Sequence, residues 1–205
     1  MSRTKSSNLW LQEHRQDEYV KKAKEKGYRC RAVFKLEEIQ KKDRLLKPQM
    51  NVIDLGAAPG GWSEYTRKVL GKSGKVIGLD ILPIEEITGV DFILGDFRED
   101  GVLENLYKVL DNAPVDVVLS DMAPNLSGNK AIDLPASLYL AELALDTAQT
   151  VLVKGGSFLV KLFQGPGSDA YIKEVRKHFT SVVIRKPKAS RARSSEVYIL
   201  AKGFK

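Results

Sequence analysis

From Pro48 onward the sequence alternates short apolar runs with stretches of helical length, and no other feature narrows the choice of fold so far. The runs are Asn51 to Leu55, Lys75 to Asp80, Asp91 to Leu94, Asp116 to Ser120, Ser157 to Phe163, Ser181 to Arg185 and Glu196 to Ala201. Helices are predicted between them at about 61–70, 99–110, 135–153 and 168–178. Such alternation implies an α/β fold with a mostly parallel seven-stranded sheet and helices on both faces. No helical stretch separates the last two runs, so one of those strands is predicted to run antiparallel. In such sheets ligands bind beyond the carboxyl ends of the strands, where the strand order reverses. Residues at those ends therefore carry the functional argument.

Upstream of Pro48, residues 1–16 are polar and weakly patterned apart from Leu9, Trp10 and Leu11, and read as a loose arm with one anchoring point. Helices are predicted at about 17–27 and 31–42. A chain of 205 residues with 43% hydrophobic content fits a single domain, with residues 1–47 forming a basic arm and helices packed on the sheet. No apolar stretch approaches the ~20 residues that span a bilayer, and the N-terminus lacks the layout of a secretory signal. The expectation is a soluble, cytoplasmic monomer without membrane contact. Cys30 is the only cysteine and no Cys/His cluster has metal-ligand spacing, so neither a disulfide nor a metal is expected. Cys30 reads as a packing residue.

The net charge is +7 and unevenly placed. Lys21, Lys22, Lys24, Lys26, Arg29, Arg31, Lys35, Lys41, Lys42, Arg44 and Lys47 face only Glu25, Glu37, Glu38 and Asp43 in the same stretch. A second cluster, Arg185, Lys186, Lys188, Arg191 and Arg193, lies near the C-terminus. If the two converge they form the electrostatic footprint of a phosphate-backbone binder. A merely solvated basic surface is the other reading.

The segment Val52-Ile53-Asp54-Leu55-Gly56-Ala57-Ala58-Pro59-Gly60-Gly61-Trp62 is a buried strand entering a glycine-rich turn and then a helix. Glycine lets a ligand approach the backbone, and the helix start presents free N–H groups. Asp80 ends the second strand, where its carboxylate can accept both hydroxyls of an adenosine ribose. Asp96 follows the third strand and is placed to accept from an adenine amino group. A dinucleotide loop needs a second glycine where this chain has Ala58, followed by rigid Pro59, which leaves a poor diphosphate cradle. The combination favours S-adenosylmethionine over a nicotinamide dinucleotide.

The fourth predicted strand ends at Leu119-Ser120-Asp121, and the fifth places Lys161 inside an apolar run. An unpaired buried ammonium is costly, so Lys161 must be paired, neutral, or pointing into a polar cleft. Asp121 is its natural partner if the two strands are neighbours; an edge lysine that snorkels to solvent is the competing reading. Glu196 begins the last strand and Lys35 lies in a basic helix. These four can meet at one mouth, although Glu196 and Lys35 also suit a charged surface.

The stretches Tyr28 to Leu36, Asp54 to Trp62, Ser120 to Asn125, Val160 to Gln164 and Ser190 to Tyr198 together resemble the bacterial FtsJ/RrmJ (RlmE) family, over nearly the full chain. Members are ribosomal RNA large-subunit 2′-O-ribose methyltransferases with a Rossmann-like S-adenosylmethionine-dependent fold. The resemblance implies a catalytic tetrad of Lys35, Asp121, Lys161 and Glu196, and cofactor positions at Gly60, Trp62, Asp80, Asp96 and Asp121. It further implies a uridine ribose as acceptor, in the assembled large ribosomal subunit. Cys30 departs from the serine expected there. Competing functions are a methyltransferase of the same fold acting on a protein or small molecule, a nonenzymatic RNA-binding assembly factor with a vestigial pocket, and a nicotinamide oxidoreductase. The basic helices speak against the first, intact Lys161 and Asp121 against the second, and Ala58-Pro59 against the third.

Overall fold

The predominantly apolar runs become strands in the computed structural model of the chain, which describes residues 17–96 and 98–205. Two helices, α1 (Glu18–Glu25) and α2 (Val33–Asp43), precede the sheet. Then come β1 (Val52–Leu55), α3 (Gly61–Leu70), β2 (Val76–Asp80), β3 (Asp91–Leu94), α4 (Asp100–Leu110), β4 (Val115–Ser120) and α5 (Lys130–Val151). The chain finishes with β5 (Leu152–Phe163), α6 (Ser168–His178), β6 (Phe179–Arg185) and β7 (Glu196–Phe204). The Leu9 to Leu11 anchor lies outside the described residues.

The strand order is β3-β2-β1-β4-β5-β7-β6. All neighbours from β3 through β5 are parallel, and β7 is antiparallel to both β5 and β6. Order reverses between β1 and β4, which opens a crevice above their carboxyl ends.

Alternation along each strand divides the core in two. Ile53, Leu55, Ile77, Leu79, Val118, Phe158 and Val160 pack on one face with Leu106, Leu145 and Ile172 from α4, α5 and α6. Val52, Val76, Val117, Leu119, Leu159 and Tyr198 pack on the other with Leu36 and Ile39 from α2 and Trp62 and Leu70 from α3. Each such side chain, fully buried, contributes about 1.5–3 kcal/mol. A third cluster, Ala23, Val33, Phe34 and Ala189, ties α1 and α2 to the β6–β7 connection.

Two element starts differ from the sequence reading by more than two residues. α5 begins at Lys130, five residues before the expected start at Pro135, because the Asn129 side chain caps it by accepting from Ala131 N–H. Pro135 falls inside the helix near its start, where the sequence reading had taken it as the first residue. β5 begins at Leu152 and not Ser157: Gly155, at φ +86°, sits in a bulge where the register against β4 jumps from Val115↔Leu152 to Val117↔Ser157.

Candidate active site

The turn after β1 is shaped by two glycines. Gly56 (φ +76°) passes so close to Met122 that an added Cβ would come within 2.6 Å of its Cγ, so only glycine lets the ends of β1 and β4 meet there. Gly60 adopts φ +101° at the N-cap of α3, a conformation that L side chains rarely hold. Above these strand ends lies a cleft of about 490 Å³ lined by Gly56, Ala58, Asp80, Asp96, Asp121 and the segment Met122 to Asn125, with Tyr139 of α5 on its rim.

Three of the expected cofactor residues therefore face the cleft. Asp80 has one oxygen accepting from Ala58 N–H at 2.8 Å and the other from Leu82 N–H at 2.9 Å, which orients its carboxylate and leaves lone pairs on both oxygens. The same bond consumes the amide that a dinucleotide loop would offer to a phosphate. Asp96 is gripped by the exposed Arg98, whose Nε lies 2.9 Å from both carboxylate oxygens, and this pairing lowers its pKa. Gly60 and Trp62 are placed differently: neither lines the cleft. The Trp62 indole is buried beside the Tyr198 ring, 5.7 Å between centroids, and donates to the Ala32 carbonyl at 2.8 Å.

Sheet register and helix packing assemble Lys35, Asp121, Lys161 and Glu196. Ser120 pairs with Val160, so Asp121 emerges next to Lys161, and Lys161 lies directly opposite Tyr198. Glu196, two residues before Tyr198, projects from the same face of β7. Helix α2 covers that face and brings Lys35 down onto it, its Nζ 5.5 Å from the Tyr198 ring centroid. Lys161 Nζ donates to Asp121 Oδ1 at 2.7 Å and also to the Asp121 carbonyl. Lys35 Nζ sits 2.9 Å from Glu196 Oε1, 3.0 Å from Oε2 and 3.9 Å from Asp121 Oδ1.

Electrostatics follow from this packing. Burial opposes a charge on Asp121, yet Lys161 and Lys35 beside it, with hydrogen bonds from Lys161 and Tyr198, hold its pKa below the ordinary carboxyl value. Burial likewise opposes the charge on Lys35, but Asp121 and Glu196 outweigh it and the pKa is raised, so Lys35 remains a cation. Asp54 is fully buried beneath the turn. One of its oxygens accepts from Ser63 Oγ at 2.6 Å and the other has no partner, and burial pushes its pKa up to about 7. Burial raises the thiol pKa of half-buried Cys30, which keeps it a neutral packing group.

Residues that sequence reasoning passed over complete the constellation. Tyr198, wholly buried, donates its hydroxyl to Asp121 Oδ1 at 2.5 Å. Ser190 donates to Glu196 Oε1 at 2.7 Å. The two-residue period of a strand starting at Glu196 was the available signal for Tyr198; nothing local pointed to Ser190 or to Arg98.

The basic clusters do converge, and part of their charge is spent inside the fold. Arg31 pairs with Asp17 and donates to the Ala189 carbonyl, while Arg185 pairs with Asp43 at 2.7 Å. Arg29 donates to the carbonyls of Glu85 and Glu86. Arg29, Arg31 and Arg185 thus have structural duties, and Lys22, Lys26 and Lys42 are exposed. Among the described residues no group of three or more His, Cys, Asp or Glu could hold a metal, and no helix is long and apolar enough to cross a membrane.

Comparison with known proteins places this geometry. The model of the FtsJ-like methyltransferase family matches residues 28–204. Proteins named ribosomal RNA large subunit methyltransferase E from Legionella pneumophila strains Corby and Paris are each 56% identical over 204 residues, covering 100% of this chain and 99% of theirs. The crystal structure of a putative ribosomal RNA methyltransferase from Plasmodium falciparum superposes with a TM-score of 0.78 at 29% identity, covering 86% of this chain and 98% of the other.

Proposed function

Because the chain belongs to the FtsJ-like methyltransferase family, we propose that it transfers a methyl group from S-adenosylmethionine to a ribose 2′-hydroxyl, that of a uridine, in large-subunit ribosomal RNA. The acceptor is presented in the assembled large subunit, in the cytoplasm. The observation that carries this reading is the pairing of Lys161 with Asp121 at the end of a carboxylate-lined cleft.

The donor set suits the cofactor. Three carboxylates, Asp80, Asp96 and Asp121, border the cleft, which favours a cationic, hydroxyl-rich nucleoside and disfavours phosphates. Asp80 would hold the ribose hydroxyls, Asp96 the adenine amino group, and Asp121 the positive methionine end, while Gly60 and Trp62, which do not line the cleft, would act only by shaping the turn and the start of α3. When bound, the cofactor supplies an electrophilic methyl group on a sulfonium.

The chain's own residues act on the acceptor. A neutral lysine amine has two N–H groups and one lone pair. Lys161 directs two donors to Asp121, its carbonyl and Oδ1, so the lone pair of the amine form points away from Asp121 and would take the 2′-hydroxyl proton. Asp121 orients that amine and is itself held by Tyr198. Lys35, kept cationic by Glu196 and Asp121, steadies the hydroxyl oxygen or the adjacent phosphate. Alignment of donor and acceptor supplies much of the rate.

The direct test incubates the protein with labelled S-adenosylmethionine and large subunits from cells lacking it. Label recovered in a single 2′-O-methylated nucleotide is the expected result. Label in protein or in a base, or none at all, would overturn the reading.

A further inference from the structure

The connection between β6 and β7 touches the basic face and the tetrad together. On one side, Ala189 is buried against Ala23, Val33 and Phe34, its carbonyl accepts from Arg31, and Arg191 Nε lies 3.9 Å from Asp17. On the other, Lys186 Nζ reaches the carbonyls of Ser194 and Glu196, and Glu196 N–H donates to Ser194 Oγ at 3.1 Å. Between them sits Ser190. It is buried, its N–H donates to the Pro187 carbonyl at 2.9 Å, and its hydroxyl donates to Glu196 Oε1 at 2.7 Å.

The terminal torsion of a glutamate is broad, so one ion pair to a long lysine does not by itself fix the carboxylate. Ser190 supplies a second, short and buried tether on a turn closed by its own N–H to the Pro187 carbonyl. Held there, Glu196 draws Lys35 to 2.9 Å and leaves it 3.9 Å from Asp121 Oδ1, the oxygen that serves Lys161 and Tyr198. If Glu196 were free to rotate, Lys35 could close on Asp121 and compete with Lys161 for that oxygen.

We propose that Ser190 is a positioning residue for methyl transfer: through Glu196 it sets the place of Lys35 relative to Asp121, and so links the seating of the basic β6–β7 connection to the tetrad. This rests on the reading that the tetrad carries the reaction.

The test is a double-mutant cycle on purified protein, with large subunits as substrate. Ser190→Ala should lower kcat on the order of tenfold, the scale of a misplaced catalytic group, while KM and S-adenosylmethionine affinity stay within about twofold. In a Glu196→Gln background the further loss from Ser190→Ala should be under about twofold, since the path is already cut. Ser190→Thr, which keeps the hydroxyl, should recover most of the rate at a melting temperature no higher than that of Ser190→Ala. An unchanged kcat for Ser190→Ala overturns the proposal, as does an equal fold-loss in both backgrounds, which would mean that Ser190 acts independently of Glu196. Lys161→Ala run alongside separates the two levels: its inactivity beside an unaffected Ser190→Ala overturns the positioning role alone, whereas its full activity overturns the tetrad reading and this proposal with it.

Discussion

Replacing Asp54 with asparagine should remove a pH dependence of stability whose direction is dictated by burial. The native carboxyl holds its proton up to about 7, against an ordinary value of 3.8, chiefly because burial penalises its charge, with Asp121 and Asp80 nearby adding to the effect. Below about pH 4 native and unfolded chains both carry the proton and nothing is lost. Between about 4 and 7 the unfolded chain releases the proton and the native state keeps it, so native stability falls as pH rises. Above 7 both are ionised and the cost levels off at ~4 kcal/mol, taking about 1.4 kcal/mol per pH unit. Asparagine carries no charge and so has no such slope. Ser63 can still donate to its oxygen, and an amide nitrogen at the unpartnered position adds a pH-independent penalty of about 1–3 kcal/mol. Urea unfolding followed by fluorescence of the buried Trp62 at about pH 5 and pH 8 reads the difference. The stability of Asp54→Asn relative to the native protein should move by ~3 kcal/mol in favour of the variant across that interval. A movement below about 1 kcal/mol would mean that Asp54 titrates as an ordinary carboxyl and that the buried-charge argument is wrong.

Lys161→Ala should lower methyl transfer by ~10²- to 10⁴-fold while calorimetric S-adenosylmethionine binding persists; a rate within about threefold of native would remove Lys161 as base. Asp80→Ala should weaken cofactor binding by roughly 1.5–3 kcal/mol, measured by calorimetry, with RNA affinity unchanged, and undiminished binding would place the adenosine elsewhere. Changing Lys22, Lys26 and Lys42 together to Glu should weaken large-subunit binding and flatten its salt dependence by about 0.7 to 0.9 per lost phosphate contact on logarithmic axes. An unchanged slope would move the RNA to the C-terminal cluster around Lys188 and Arg191.

Local chemistry makes much of the candidate site legible in the sequence. Asp80 and Asp121 sit at strand ends because buried strands must surface somewhere, and a carboxylate after an apolar run marks that point. Lys161 stood out because an ammonium inside Phe-Leu-Val-Lys-Leu-Phe demands a partner. The boundaries that slipped, at Lys130 and Leu152, are places where a capping asparagine or a glycine bulge overrides the local pattern. Arg29 and Arg31 looked like surface charge and are tied into the fold, since a guanidinium finds carbonyls and carboxylates that only the folded chain supplies.

The sequence by itself determined the alternating strands and helices, the glycine turn under the cleft and the residue types available for chemistry, because each depends on neighbours within a few positions. Tertiary structure alone decided which of those residues meet. Lys35 and Glu196 are 161 positions apart, and their contact exists because α2 packs on the sheet face where β7 inserts antiparallel beside β5. That insertion sets Tyr198 opposite Lys161 and Ser190 against Glu196, so the hydrogen bonds that orient the tetrad come from register and packing, which no local stretch of sequence encodes.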